Sequence, residues 1–154
     1  MPFMSFINVY IHFVWSTKLR KPSLVKPYRQ LLFDHMKQNG REKGIHIDRV
    51  NGYVDHVHCL VSLKPGQSID NIARLIKGES THWFNHISGI QNTPLQWQSE
   101  YFAISVSPSI LKNVRSYIDR QEQHHSKTGY EKEYQELVNL FPQSDDINHS
   151  PFTY

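Results

Sequence analysis

The stretch Asp55-His56-Val57-His58-Cys59-Leu60-Val61-Ser62-Leu63 decides how the rest of the chain is interpreted. Its length and its β-branched residues predict a strand. Side chains on a strand alternate between two faces, so His56 and His58 point the same way and Val57 points to the core. Two imidazoles held like this can bind one metal ion. A simple polar sheet face is the competing interpretation, and the histidine pair alone does not choose between them.

A predicted helix over residues 108–125 is the second informative segment. Ser107 is a typical N-cap and Pro108 suits the first helical position. Apolar residues then recur at spacings of three and four along one face, which also carries Tyr117 and Gln121. Of the tyrosines in the chain, only Tyr117 has a metal-ligand type of residue four positions later. The competing interpretation is a buried tyrosine whose hydroxyl is hydrogen-bonded to Gln121.

The order of predicted elements indicates an α+β fold. Asn51-Gly52 is a strong hairpin signal, but a turn at Val54-Asp55 would give two strands of matched length. Ser68 is a typical N-cap for a second helix. The order β-α-β-β-α-β with one more helix predicts a ferredoxin-like sandwich with an appended C-terminal helix. The predicted elements are strands 5–16, 45–53, 56–63 and 100–106, and helices 26–43 and 69–83.

Length and composition set the broad class of protein. A chain of 154 residues can bury one core, and its net charge of +3 permits nucleic-acid binding without requiring it. One cysteine, no long apolar run and no secretion signal predict a cytoplasmic protein that does not contact a membrane. We expect a single domain over 1–129, a short helix over 130–141, and a loose polar tail over 142–154.

Over about residues 5–125 the sequence resembles the single-tyrosine HUH transposases of small insertion sequences and their REP-associated relatives. The name HUH describes two histidines around a hydrophobic residue, here His56-Val57-His58, and the preceding Asp55 is also often present in the family. The family's Tyr-x-x-x-Gln motif is matched by Tyr117 and Gln121. Ser107-Pro108 departs from the glycine that is common after the fourth strand. The family layout favours the turn at Val54-Asp55.

The resemblance implies a site and a reaction. Tyr117 would be the nucleophile, and His56, His58 and Gln121 would hold a divalent ion on the sheet face that the appended helix covers. Nitrogen and oxygen ligands without a thiolate leave manganese, magnesium and zinc open, and the resemblance implies Mg²⁺ or Mn²⁺. We expect both histidines to lie on a solvent-facing surface. The partner would be single-stranded DNA with hairpin-forming palindromic ends, cut through a covalent 5′-phosphotyrosine link. The open sheet face and the apolar stripe of the 108–125 helix need mutual cover, so we expect a homodimer. The resemblance implies that the catalytic helix of one subunit can complete the site of the other.

Basic and aromatic residues are the candidates for DNA contact. Trp15, Trp97 and Tyr101 are candidate stacking platforms for bases. His12 is a candidate for a functional role near the site. The pair His124-His125 could extend the metal site, but histidines at a helix end more often lie in solvent, and we expect that here. Rival interpretations are a domesticated nuclease acting on chromosomal repeats, a ferredoxin-like RNA-binding module without activity, and a metal hydrolase that uses water as nucleophile. The candidate DNA-binding cations are Lys18, Arg20, Arg74, Lys77 and Arg120.

Overall fold

The computed structural model describes residues 5–87, 94–125, 129, 132–133 and 135–136, and over these residues the chain follows the predicted order. None of the helices among them is long and apolar enough to cross a bilayer. The predicted tail of 142–154 lies outside the described residues, whereas the described part of the predicted helix 130–141 is helical. The elements are β1 Val9–Ser16, α1 Tyr28–Glu42, β2 His46–Gly52, β3 His56–Leu63, α2 Ile69–His86, β4 Phe102–Val106, α3 Leu111–Asp119 and α4 Gln121–His125.

The four strands form one antiparallel sheet in the order β2-β3-β1-β4. This is the predicted ferredoxin-like arrangement. The β2–β3 connection runs through residues 53–55, as the alternative with matched strands predicts, and the hairpin signal at Asn51-Gly52 does not form the turn. In the β1–β3 pairing, Val14 lies opposite His58 and Ser16 lies opposite His56. The pairing therefore brings the histidine strand beside the central strand β1.

One face of the sheet packs against α1 and α2 and contains the main core. Phe13 and Trp15 of β1 join Val57 and Cys59 of β3 in this core, each fully buried. Each such large apolar side chain contributes about 1.5–3 kcal/mol when it leaves water. Because Trp15 is part of this core, its predicted role as a stacking platform for bases is wrong. The helix residues of the core include Leu32, Phe33, Met36, Ile72, Ala73 and Ile76.

The opposite face of the sheet is covered by α3 of the same chain. Ile118 is fully buried there against Leu60 and Val106. The carbonyl of Ile118 also accepts a hydrogen bond of 2.9 Å from the side-chain amide of Asn51 on β2. A short apolar cluster and a polar contact thus hold α3 across β2 and β3, so one chain covers its own open sheet face.

The predicted helix over 108–125 is broken into three parts. A 3-10 turn occupies Pro108–Ile110, α3 follows, and α4 begins only after a break at Arg120, whose φ and ψ are −104° and 23°. The N–H of Arg120 bonds to the carbonyl of Tyr117 and so closes α3 with a tight turn. Tyr117 and Gln121 are therefore not one turn apart on a single helix. The direction of Gln121 depends on the break and not on helical periodicity.

Candidate active site

His56 and His58 lie on the same face of β3, which confirms the prediction from strand alternation. Their ring centroids are 5.2 Å apart. Both residues are completely buried, so the expectation of a solvent-facing surface is wrong. Tyr117 of α3, His125 of α4 and Glu133 cover the two histidines. The periodicity of the sequence does not place Glu133 on this face.

A neighbouring side chain orients each of the two imidazoles. His56 donates from Nδ1 to the carboxylate of Asp55 at 2.8 Å, and Nδ1 of His58 shares a hydrogen bond of 2.9 Å with Nε2 of His12. His12 is itself buried on β1, and burial followed by the charge of His58 lowers its pKa to about 3. Both Nδ1 atoms are thereby occupied, and both Nε2 atoms face one common point. Outer partners of this kind are typical of histidine metal ligands.

Glu133 and His125 meet the histidine pair at that point. Glu133 Oε1 lies 2.9 Å from His58 Nε2, Oε2 lies 3.3 Å from His56 Nε2, and Oε2 also contacts Nε2 of His125. One ligand-type atom from each of these four residues lies within 4.8 Å of the others. The Glu133 side chain is fully buried, and that of His125 is only 3% exposed. The four side chains therefore form a compact buried cluster that can hold a metal ion.

Several polar atoms of this cluster lie close together without a well-formed hydrogen bond. Among the described residues, His58 Nε2, His125 Nε2 and Glu133 Oε2 are buried and lack a hydrogen bond of acceptable geometry despite their short separations. Burial would raise the pKa of Glu133, but the surrounding His58, His125 and His56 lower it well below its usual range. Burial is also the main reason that the pKa of His58 is lowered. A carboxylate with neutral imidazoles around one point is a donor set that binds divalent transition metals.

Tyr117 and Gln121 both reach this cluster. The Tyr117 hydroxyl donates a short hydrogen bond to Glu133 Oε1, and its ring lies edge-on to His58 at 5.7 Å between centroids. Gln121 donates from Nε2 to the same Glu133 oxygen at 3.0 Å, and its Oε1 lies 3.4 Å from His56 Nε2. Burial and the negative charge of Glu133 raise the pKa of Tyr117. The predicted tyrosine, glutamine and histidines are thus brought together in one chain.

The cations predicted to bind DNA are not gathered in one place. Lys18 and Lys77 line the same groove, but the Lys77 ammonium is held by backbone carbonyls, with Gln98 O at 2.5 Å. Arg20 lies 3.7 Å from the carboxylate of Asp55, next to the histidine pair. The remaining two, Arg74 and Arg120, are exposed on α2 and at the α3–α4 break, where each makes a local hydrogen bond.

The sequence interpretation missed Glu133. No periodicity links residue 133 to the histidine strand, and the carboxylate is recognisable as part of the site only once the chain has folded back over β3. His125 did carry a signal, because it follows Gln121 by four positions and so shares its side of α4. The prediction that helix-end histidines lie in solvent is wrong for His125, whereas the His124 side chain is 25% exposed.

Comparisons with known proteins identify the family and the fold of the chain. The family model described as "Transposase IS200 like" matches residues 5–121. The ISDra2 transposase TnpA of Deinococcus radiodurans is 24% identical over 123 residues, which cover 71% of this chain and 81% of that protein. A candidate transposase from D. radiodurans R1, solved at 1.90 Å, superposes with a TM-score of 0.62 at 21% identity and covers 79% of this chain and 97% of its own.

A fourth comparison spans almost the whole chain. The REP-associated tyrosine transposase, solved bound to a REP hairpin, superposes with a TM-score of 0.54 at 18% identity. The match covers 97% of this chain and 94% of that structure. At such identities the two solved structures establish a shared fold, and the family model carries the assignment because it matches more than half of the sequence. The chain belongs to the IS200-like transposase family.

Proposed function

We propose that this chain cleaves and rejoins single-stranded DNA with Tyr117 as nucleophile, as the transposase of a small insertion sequence. The observation that carries the proposal is the contact between the Tyr117 hydroxyl and the buried cluster of His56, His58, His125 and Glu133. A tyrosine kept at the end of a helix solely for packing would not need four buried metal-type ligands at its hydroxyl. Family membership supports the same class of reaction.

The reaction balances with the side chains present. The Tyr117 oxygen attacks the scissile phosphorus, the bond from phosphorus to the 3′ oxygen breaks, and the phenolic proton passes to the leaving 3′ oxygen. The products are a 5′-phosphotyrosine and a free 3′-hydroxyl, and attack by a 3′-hydroxyl reverses the step without ATP. His56, His58 and Gln121 would hold a divalent ion, Mg²⁺ or Mn²⁺, which supplies a Lewis acid for the phosphate oxygens.

The chain's own residues prepare the nucleophile. Asp55 and His12 orient the histidine pair, and the Glu133 carboxylate fixes the direction of the Tyr117 hydroxyl. Since that same carboxylate raises the pKa of Tyr117, positive charge must be added beside it before the phenol can lose its proton readily. The site would therefore attack phosphate only after cation binding.

For the nucleic-acid partner, we propose single-stranded DNA with palindromic ends that fold as hairpins. The REP-associated relative was solved with a REP hairpin. Lys18, Arg20, Arg74, Lys77 and Arg120 are the proposed contacts to phosphates. A domesticated nuclease acting on chromosomal repeats would use the same chemistry, and palindromes flanking the gene would separate the two roles.

A homodimer also stays a proposal. The open sheet face does not need cover from a partner, because α3 of the same chain already lies on it. The remaining support is that β2 and β4 are edge strands, which dimer formation would protect. Sedimentation at micromolar concentration distinguishes an 18.2 kDa monomer from a dimer.

The test is covalent capture of DNA. Wild-type protein incubated with Mn²⁺ and labelled single-stranded DNA from its flanking palindrome should give an adduct that survives denaturant, and chelation should prevent it. Tyr117→Phe should abolish the adduct and keep DNA affinity, because only the attacking oxygen is removed. Tyr28→Phe, on α1 behind the other sheet face, is the matched control and should form adduct normally. Cleavage by Tyr117→Phe would make water the nucleophile and refute the proposal.

A further inference from the structure

We infer that Glu133 and His125, which lie beyond the catalytic helix, complete the metal centre, and that Glu133 also positions the Tyr117 hydroxyl against it. The inference rests on the proposed function, because it concerns the ion proposed there. It extends the ligand set from the three residues of the sequence motifs to a buried cluster that includes a carboxylate. The same carboxylate would then join the metal to the nucleophile.

The two oxygens of Glu133 face different groups. Oε2 contacts His125 Nε2 and lies 3.3 Å from His56 Nε2. Oε1 accepts from the Tyr117 hydroxyl and from Gln121 Nε2, and lies 2.9 Å from His58 Nε2. A carboxylate can use one oxygen for a metal and the other for hydrogen bonds. On Glu133, Oε2 faces two histidines, whereas Oε1 takes both hydrogen bonds and also lies beside His58.

Burial requires that the Glu133 charge be compensated within the cluster. Its side chain is fully buried, and a buried carboxylate is costly unless it is paired or coordinates a metal. Oε2 has no hydrogen bond among the described residues, and neither have the Nε2 atoms of His58 and His125. These three buried atoms meet as close charged pairs without well-formed hydrogen bonds, and such a convergence of nitrogen and oxygen atoms suits a cation between them.

His125 is placed by its own contacts. Its ring stacks on Tyr53 with centroids 5.2 Å apart, and it lies edge-on to His56 at 4.4 Å. These contacts hold the ring inside the cluster at the end of α4. The neighbouring His124 packs instead beside the Tyr117 ring, with centroids 5.4 Å apart, and its Nε2 is 3.9 Å from the half-exposed carboxylate of Glu136. Adjacent histidines thus have different environments, and only His125 faces the metal centre.

The competing explanation is a metal-free ion pair. Burial lowers the pKa of His56, but the carboxylates of Asp55 and Glu133 raise it on balance, so a protonated His56 could satisfy Glu133. In that case Glu133 would contribute to folding and not to metal affinity. Measuring metal affinity separates the two explanations.

The experiment measures Mn²⁺ binding to the full chain by titration calorimetry with MnCl₂. Glu133→Gln and His125→Asn should each weaken Mn²⁺ binding by at least about tenfold, the effect of losing even an outer partner of a metal ligand. The matched control is Glu136→Gln, in the same segment with a half-exposed side chain, and it should change affinity by less than about twofold. Far-ultraviolet circular dichroism checks that each variant folds.

A second measurement counts ligands directly. Spin-echo spectroscopy of bound Mn²⁺ should detect one fewer histidine nitrogen in His125→Asn than in wild type, which keeps the inference testable if Glu133→Gln does not fold. Excess Mn²⁺ should restore adduct formation to Glu133→Gln, whose amide oxygen still accepts from Tyr117, but not to Glu133→Ala. If excess Mn²⁺ restored both variants equally, or neither, Glu133 would not position the Tyr117 hydroxyl.

The outcomes distinguish this inference from the proposed function. The inference would be overturned if Glu133→Gln and His125→Asn both bound Mn²⁺ as tightly as the wild type while His56→Asn lost Mn²⁺ binding. That result would not affect the proposed tyrosine chemistry. Absence of Mn²⁺ binding by the wild type would overturn both this inference and the metal-dependent reaction. Formation of adduct by the wild type in chelator would refute the metal requirement alone.

Discussion

The ion pair between Arg115 and Asp48 should anchor α3 on the sheet, and a double-mutant cycle can measure its contribution. Arg115 on α3 donates from Nε and Nη2 to the two oxygens of Asp48 on β2, at 2.8 and 2.7 Å. At about 4 Å and an effective dielectric constant of about 20, two unit charges attract by about 4 kcal/mol. Side-chain ordering and solvent reduce this value, because Arg115 is 33% exposed although Asp48 is only 9% exposed. We expect a coupling free energy of about 1–2 kcal/mol.

The cycle compares urea unfolding of wild type, Arg115→Met, Asp48→Asn and the double variant. The cycle cancels the contact of Arg115 with the ring of Tyr10, 5.8 Å away, because that contact is lost with and without Asp48. Lys112→Met removes an exposed cation from the same helix and is the control. A coupling below about 0.5 kcal/mol, within the range of exposed pairs, would refute the anchoring role.

The pH dependence of the same coupling has a definite sign. Burial raises the pKa of Asp48, but the hydrogen bonds and charge of Arg115 outweigh it and hold the pKa below the ordinary value of 3.8. A carboxyl with a lowered pKa in the folded state stabilises the protein above its unfolded pKa and loses that contribution as pH falls through the folded pKa. The coupling should therefore be equal at pH 7 and pH 5 and shrink below about pH 4. A coupling that grew on acidification would contradict this assignment.

Two further predictions concern positions near the histidine strand. Gly52→Ala should destabilise the protein, because a Cβ there would overlap the backbone carbonyl of His56 and lie 2.9 Å from Val57 Cα. Gly78→Ala in α2 is the control, because a Cβ there meets open space, and it should stabilise the protein by about 0.5–1 kcal/mol. Equal changes in melting temperature for the two variants would contradict this explanation. Cys59 is fully buried, and burial raises the pKa of its thiol, so it should react with a thiol reagent only after unfolding. Rapid labelling of the native protein would contradict its place in the core.

Local sequence patterns determined the order of the helices and strands and the direction of the side chains along β3. Alternation along β3 was sufficient to place His56 and His58 on one face and Cys59 on the other, because strand geometry repeats every two residues regardless of the rest of the chain. The Ser68 cap was equally readable, and its hydroxyl accepts from the N–H of Asn71 at 3.1 Å. These features depend on neighbours within a few residues, so the sequence contains all the information they need.

Gly52 shows why a local signal can be misread. Asn51-Gly52 has the composition of a hairpin turn, yet glycine is required there because the β3 backbone passes too close for a side chain. Tight turns and close backbone approaches both favour glycine, and only the strand register distinguishes them. Arg120 is a parallel case, since the apolar pattern of α3 ends before it and the polar residues of α4 give no signal for the break.

Only the tertiary structure decided how the site is closed. Glu133 reaches His58 across 75 residues of sequence, and His12 reaches the same ring across 46. Such contacts depend on where α3 docks on the sheet. Buried apolar area and long-range ion pairs together determine that position. The sequence by itself determined the histidine pair and the tyrosine, since each belongs to one regular element. The carboxylate between them belongs to neither element, and folding alone brings it to the site.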